Sequence, residues 1–177
     1  FLVVVPVLID RRDDWSGTEK SRRYTNAPHR EWIYRQSFEA GRSVVGYEVQ
    51  KVLAAVDALR GRSAKLLRPD AKIGVFGYGE GGLVALNAAA IDPRIDAVTV
   101  AGYFGAGSRD EVIYRNVFGI RRTFTDAELA VLVAPRLVSV VPGGGPRIAG
   151  PPPPAKDRRS VAAPGTLSPP DDAVVTA

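Results

Sequence analysis

One stretch of ten residues, 73–82, constrains the fold of this chain more than any other. Its sequence, IGVFGYGEGG, opens with a short apolar run and continues with glycine at every second position before a pair of glycines. A short apolar run predicts a buried strand, and closely spaced glycines predict a tight turn. Apolar residues follow up to Asp92-Pro93, a pair that ends a helix. The stretch therefore predicts a strand at Ile73–Phe76, a glycine turn, and a helix at Gly81–Ala90.

Other short apolar runs predict three further strands, at Leu2–Leu8, Ile95–Ala101 and Leu137–Val141. Between them, residues 29–60 predict a mostly helical segment that is broken or bent at glycines, because its valines recur at spacings of three and four. Strands that alternate with helical segments predict an α/β fold with a mainly parallel sheet flanked by helices.

Several connecting segments also carry predictions. Residues 10–27 are polar and charged and predict a loop, and Tyr103 and Phe104 fall in a loop where we expect exposed aromatic rings. Two pairs have capping-box spacing, which predicts that two short helices begin there. These pairs are Ser108 with Glu111 and Thr125 with Glu128.

The composition changes at Pro142. Nine of the last 36 residues are proline and five are glycine, so the segment has little apolar surface to bury and is expected to be disordered or loosely extended. We therefore expect two parts: a core, 1–141, and a proline- and glycine-rich low-complexity tail, 142–177. The chain opens inside an apolar run and has no methionine, so we expect that its core is truncated at the N-terminus.

The composition excludes several classes of site. Without cysteine, disulfides, thiol catalysis and cysteine-ligated metals are excluded, and the single histidine, His29, makes a histidine-rich metal site impossible. No apolar run reaches the ~20 residues that span a bilayer. The net charge of +5 comes from scattered basic residues, so we expect no nucleic-acid partner, no membrane partner, no metal and no cofactor. The composition does not indicate the cellular compartment of the protein.

The strand, glycine turn and helix have the layout of a nucleophile elbow, in which a G-x-S-x-G turn presents a reactive serine. Here Gly79 stands in the serine position, so the nucleophile position is vacant. The N–H of Glu80 would supply half of an oxyanion hole, next to the partial positive charge of a helix N-terminus. The turn is therefore expected to bind an oxyanion, a carboxylate or a phosphate without attacking it. The residues expected to line this site are Gly77, Tyr78, Gly81 and Gly82.

Two other interpretations of the turn stay open. It is equally consistent with a tight structural turn packed with glycine. It also matches the dinucleotide fingerprint G-x-G-x-x-G, at Gly77, Gly79 and Gly82. That fingerprint needs an acidic residue at the end of the next strand, whereas Ile95–Ala101 ends in Ala-Gly-Tyr.

A catalytic triad cannot be completed from the chain in the order serine, acid, histidine. His29 precedes the turn and is expected to cap or pack a helix start. Pro142-Gly-Gly-Gly145 directly follows Val141, so no carboxylate stands where a triad acid is expected. Ser108, Asp110 and Glu111 follow the strand Ile95–Ala101 and are alternatives near the site, although helix capping accounts more simply for Ser108 and Glu111.

The chain resembles the central part of an α/β-hydrolase of the dienelactone hydrolase and acetyl xylan esterase type. The resemblance covers residues 1–141 and includes bacterial hydrolase-like sequences. It is carried by VVVPVLIDRR at 3–12, PHREWI at 28–33, GYEVQKVLAAVD at 46–57, the glycine turn at 77–82, DPRID at 92–96, YRNVF at 114–118 and APR at 134–136. It implies descent from carboxylic-ester hydrolases that act on acetyl esters or lactones. The family's nucleophile falls on Gly79 and its oxyanion N–H on Glu80, while its acid and histidine find no counterpart. The resemblance therefore implies a pseudoenzyme that takes a small ester, carboxylate or other anion.

Overall fold

The computed structural model describes residues 1–12, 15–18, 23–61, 65, 67–105, 111–151, 153 and 159–176. Its helices and strands are, in chain order, β1 Trp15–Thr18, β2 Arg23–Pro28, α1 His29–Glu39, α2 Val44–Arg60, β3 Gly74–Tyr78, α3 Glu80–Ile91, β4 Ala97–Ala101, α4 Asp126–Val133, β5 Leu137–Val141 and α5 Asp172–Thr176. Two single 3-10 turns, Ile113–Arg115 and Ile120–Arg122, lie between β4 and α4.

Strands β3, β4 and β5 form a three-stranded sheet in that order, and both pairs are parallel. In this register Phe76 lies beside Thr99, and Thr99 lies beside Ser139. Helices connect the strands, as parallel pairing requires. The predicted α/β fold with a small parallel sheet flanked by helices is therefore confirmed. The strand at Leu137–Val141 has the predicted bounds, and the other two strands begin one or two residues later than predicted.

Helix α3 lies at the centre of the core. Every residue from Gly82 to Ala89 is buried, because α3 contacts β3, β4, α2 and α4. A helix that is apolar all round is typical of such a central position. The apolar stripe of α2 packs against it, as its spacing predicts. The buried partners from α2, β4 and α4 are Val45, Val49, Val52, Val56, Val98, Val100, Leu129 and Val133.

The helix starts follow their local sequence. The predicted break between α1 and α2 falls at Gly41, whose φ of 66° favours glycine, whereas Gly46 lies inside α2. At α4 the capping box of Thr125 and Glu128 is present in both directions. The second predicted box includes Ser108, which lies outside the described residues. Its partner Glu111 begins no helix and instead forms a β-bridge with Thr166.

The predicted strand at Leu2–Leu8 is wrong. These residues form no strand, and Val5 and Val7 are each more than four-fifths exposed. Their segment lies beside α2, where Lys51 Nζ donates a hydrogen bond to the carbonyl of Val7 at 2.7 Å. An apolar run shows a preference for burial, but a strand also needs a neighbouring strand to bond to. In the described chain β3 pairs with β4 alone.

The predicted loop over residues 10–27 is also partly wrong. Strands β1 and β2 form an antiparallel hairpin there, with Gly17 opposite Tyr24 and Thr18 opposite Arg23. Tyr103 was expected to be exposed but is 2% exposed, because it belongs to the core cluster and its Cβ lies close to Gly82 of α3. Phe104 is half-buried and packs against the same core.

The described part of residues 142–176 contacts the rest of the chain at several points. The backbones of Ile148 and Leu167 exchange two hydrogen bonds, and Leu167 is buried. The N–H of Ala163 donates to the carboxylate of Glu31 on α1 at 2.9 Å. The predicted domain boundary at residue 142 and the predicted looseness of the segment beyond it stay predictions.

Candidate functional site

The glycine turn connects β3 to α3 at the carboxyl edge of the parallel sheet, as predicted. Gly79 is the single residue between the strand and the helix, and its φ of 55° and ψ of −123° lie in a region that side chains disfavour. Its N–H donates to the carbonyl of Ala101 at the end of β4, at 2.8 Å. Its carbonyl accepts from the N–H of Gly82 at 2.8 Å. The turn is therefore held by the sheet on one side and by the helix on the other.

Two neighbouring glycines are required by close packing. A Cβ at Gly77 would overlap the backbone carbonyl of Gly81. A Cβ at Gly82 would come 2.9 Å from a methyl carbon of Val100 and 3.1 Å from Cβ of Tyr103. Gly81 differs, because no heavy atom lies within 4 Å of the position where its Cβ would stand. Gly77 and Gly82 thus let the strand and helix approach each other, as the elbow interpretation expects.

The N–H of Glu80 faces no acceptor in the described part of the chain. It is among the first N–H groups of α3, which have no partner within the helix. The residue is nevertheless 7% exposed, and the neighbouring Tyr78 ring is more than half exposed. The predicted oxyanion donor is therefore unbonded and largely covered.

The side chain of Glu80 turns away from this N–H and into a buried cluster of charges that the sequence analysis did not identify. Its carboxylate lies 2.9 Å from Nη1 of Arg11, 3.3 Å from Nη2 of Arg30 and 3.7 Å from Nε of Arg115. Glu48 of α2 completes the centre of the cluster, 3.3 Å from Arg30 and 3.5 Å from Arg11. Arg30 and Glu48 are each 1% exposed.

The outer part of the cluster is aromatic and acidic. The guanidinium of Arg30 lies 4.9 Å from the centre of the Tyr114 ring, and that of Arg115 lies 5.4 Å from the centre of the Tyr103 ring. Arg115 also donates to Glu111 at 2.8 Å. These contacts pair every carboxylate of the cluster with at least one arginine, so both oxygens of the Glu80 carboxylate face guanidinium groups and are not directed at the glycine turn.

One sequence signal pointed to this cluster. Glu48 stands within the apolar stripe of α2, three residues after Val45 and four before Val52, so it lies on the buried face of the helix. A charged side chain on such a face needs partners. Its partners are Arg11 and Arg30, which are 37 and 18 positions away in the chain, so spacing alone could not name them.

Pro146 covers the turn. A Cβ placed on Gly79 would stand 2.8 Å from Cδ and 3.0 Å from Cγ of this proline. The ring therefore occupies the space into which a nucleophilic side chain would project. The pocket that the sequence analysis expects above the turn is filled by residues that follow β5.

Tyr103 and Asp126 form a second buried polar contact close to the turn. The Tyr103 hydroxyl donates to Oδ1 of Asp126 at 2.9 Å. Burial, and then the charge of Asp126, raise the pKa of this hydroxyl well above its usual range. The phenol is therefore neutral at any physiological pH and acts as a donor to α4.

The remaining candidate catalytic residues do not form a triad in the described chain. His29 is the first residue of α1 and is half-buried, which agrees with its expected place at a helix start. Residues 142–145 directly after β5 are proline and glycine, so no acid stands at the end of that strand. The dinucleotide fingerprint requires an acidic residue at the end of β4, and this strand also ends without one. Ser108 and Asp110 lie outside the described residues.

The described ranges contain neither a cluster of metal ligands nor a membrane-spanning helix. There, no three His, Asp or Glu side chains lie together as a metal ion would require. The helices of the same ranges are too short or too polar to cross a bilayer.

Comparison of the chain with protein-family models, curated proteins and solved structures finds no match.

Proposed function

We propose that this chain is an α/β-hydrolase-fold protein of carboxylic-ester hydrolase descent whose active site no longer performs catalysis. The observation that carries the proposal is the backbone of Gly79. Its φ of 55° and ψ of −123° form a sharp strand-to-helix turn at the carboxyl edge of a parallel sheet. Such a turn serves to present a side chain above the sheet, and here it presents none.

The surroundings of the turn support this descent. Gly77 and Gly82 are needed for the close approach of β3 and α3, which is the steric requirement of an elbow. The Glu80 N–H has no acceptor in the described chain and lies where an oxyanion donor belongs.

Three features argue against turnover. Glycine offers no nucleophilic atom at position 79, and the loss of a nucleophile lowers kcat by ~10⁶-fold in serine enzymes. The only histidine, His29, lies in the first turn of α1 and precedes the glycine turn, and residues 142–145 directly after β5 supply no triad acid. Pro146 fills the space in front of Gly79.

The second candidate function is a non-catalytic module that binds a nucleotide or another anion at the turn. The unbonded N–H of Glu80 at the start of a twelve-residue helix favours it. The Glu80 carboxylate weakens it, because its negative charge is fixed beside the same turn. The lack of an acid at the end of β4 removes the usual ribose contact.

Two assays on the intact protein test the proposal. Incubation with a fluorophosphonate, followed by intact-mass analysis, is expected to give no adduct. Hydrolysis of p-nitrophenyl acetate is expected to be equally slow with the wild type and with His29→Ala, because the proposal gives the single histidine no catalytic role. A stoichiometric adduct on a serine would overturn the proposal. A rise in Tm with NAD, without an adduct, would favour the nucleotide-binding alternative.

A further inference from the structure

Residues Pro142–Pro146, which we name the strap, connect two fixed points across the glycine turn. At one end β5 is held by its pairing with β4, and the N–H of Gly102 donates to the carbonyl of Val141 at 3.3 Å. At the other end the backbones of Ile148 and Leu167 exchange hydrogen bonds of 3.0 and 2.8 Å. The strap crosses from one anchor to the other over Gly79.

The strap is held down by packing alone. Within the described residues, none of its N–H groups donates a hydrogen bond. Its contacts include the Pro146 ring on Gly79, the close approach of Gly144 and Gly145 to Gly102, and Pro169, whose Cα would lie 3.1 Å from a Cβ built on Gly145. Residues 142–144 are exposed. Segments with few buried apolar contacts and unbonded backbone open most readily in a folded protein.

The backbone of the strap is suited to a change of conformation. Gly143 and Gly144 have φ of 76° and 59°, and no heavy atom lies within 4 Å of a Cβ built on either residue. Glycine is therefore favoured at these two positions by the backbone conformation and not by steric crowding. A strap without side chains at these positions can rotate about its own dihedrals without disturbing the core.

We propose that the strap is a lid that opens and closes over the glycine turn and controls access to the Glu80 N–H. This inference rests on the proposed function, since it assigns a gate to the same degenerate site. In the closed state Pro146 occupies the space above Gly79. In the open state the turn is free to accept a small carboxylate or ester carbonyl.

NMR on the full chain tests the lid. The wild type is expected to show a nuclear Overhauser effect between Gly79 Hα and the Pro146 Hδ protons, which reports the closed state. Relaxation dispersion is expected to give one common exchange rate for the amides of Gly79 and Gly144, because lid motions occur on microsecond to millisecond timescales. A missing Overhauser effect, or flat dispersion at both amides, would overturn the proposal.

A matched pair of variants separates lid opening from general destabilisation. Gly144→Ala places a side chain in the disfavoured backbone of the strap and is expected to raise the open population about tenfold. Gly119→Ala has the same strain, with φ of 79° and open space at its Cβ, but lies outside the strap. Gly119→Ala should leave the nuclear Overhauser effect between Gly79 and Pro146 unchanged. An equal loss of this effect in both variants would overturn the proposal.

Pro146→Ala provides a second test if Gly144→Ala fails to fold. It removes the ring contact without backbone strain and is expected to increase the exchange contribution at Gly79. An unchanged contribution would contradict the lid. These readouts do not depend on activity, so a serine adduct in the labelling assay would contradict the proposed function alone.

Discussion

The ring of Pro146 lies on the one face of Gly79 from which a side chain would project, and a Cβ there would stand 2.8 Å from its Cδ atom. Position 79 therefore has no side chain, and the space for one is filled by the Pro146 ring. Residues 79 and 146 are coupled by this contact, and a change at one is expected to alter the tolerance of the other.

Gly79→Ser is predicted to destabilise the protein, and the second change Pro146→Ala is predicted to restore part of the loss. The serine suffers backbone strain of about 1–3 kcal/mol and also displaces the ring. Urea unfolding of both single variants and the double variant would give a coupling energy of about 1 kcal/mol or more.

Pro142→Ala serves as the control for this cycle, because Pro142 is exposed in the same strap and the contacts above Gly79 come from Pro146. Its coupling to Gly79→Ser should be close to zero. Equal coupling at Pro142 and Pro146 would mean that the effect arises from proline content and not from the ring contact.

Gly77→Ala and Gly81→Ala are predicted to have opposite effects on stability. At Gly77 the new methyl overlaps the Gly81 carbonyl, so we expect a loss of about 3 kcal/mol or failure to fold. At Gly81 the methyl meets open space in the first turn of α3, and a gain of up to about 1 kcal/mol is expected from helix propensity. Thermal unfolding followed by circular dichroism measures both. Similar losses at the two positions would contradict the packing described for the turn.

Glu80→Gln is predicted to destabilise the protein by about 1.5–3 kcal/mol, because Arg30 and Arg115 keep Glu48 and Glu111 but each loses a buried contact with a carboxylate. Asp70→Asn makes the same chemical change in an exposed pair with Arg68 and should alter the unfolding free energy by less than about 0.5 kcal/mol. Chemical denaturation of both variants measures the difference. A small effect of Glu80→Gln would mean that the cluster adds little to stability.

Asp96 is predicted to contribute to acid unfolding. A hydrogen bond from the Ile73 N–H and then the contact with Lys72 lower its pKa below 3.8. Because the folded pKa is the lower one, the stabilisation is present above about pH 4 and is lost as pH falls through the folded pKa. Asp96→Asn keeps an acceptor for Ile73 but cannot titrate. Urea midpoints measured between pH 5 and 2 should therefore fall less steeply in the variant, and parallel curves would contradict the prediction.

The sequence predicted the local elements of the core well. The glycine turn, the stripe of α2, the capping box at Thr125 and the strand at Leu137–Val141 all depend on residues close together in the chain. Such features are governed by backbone freedom and side-chain periodicity, which a sequence displays directly.

The errors concern contacts between distant residues. Leu2–Leu8 has the composition of a buried strand, but no described strand lies beside it to complete the hydrogen bonding. Tyr103 is buried because it packs against α3 and donates a hydrogen bond to Asp126 of α4. Pro146 contacts Gly79, from which it is separated by 67 positions in the chain. These contacts depend on how elements pack, and no local pattern encodes them.

A crystal structure of the double variant Gly79→Ser, Pro146→Ala tests the central claim most directly. The account predicts that the serine keeps φ near 55° and ψ near −123°, the values of Gly79, and that its hydroxyl projects above the carboxyl edge of the sheet. A serine that shifts to helical or extended backbone, with β3 and α3 separating to admit it, would contradict the claim that this turn is a nucleophile elbow without its nucleophile.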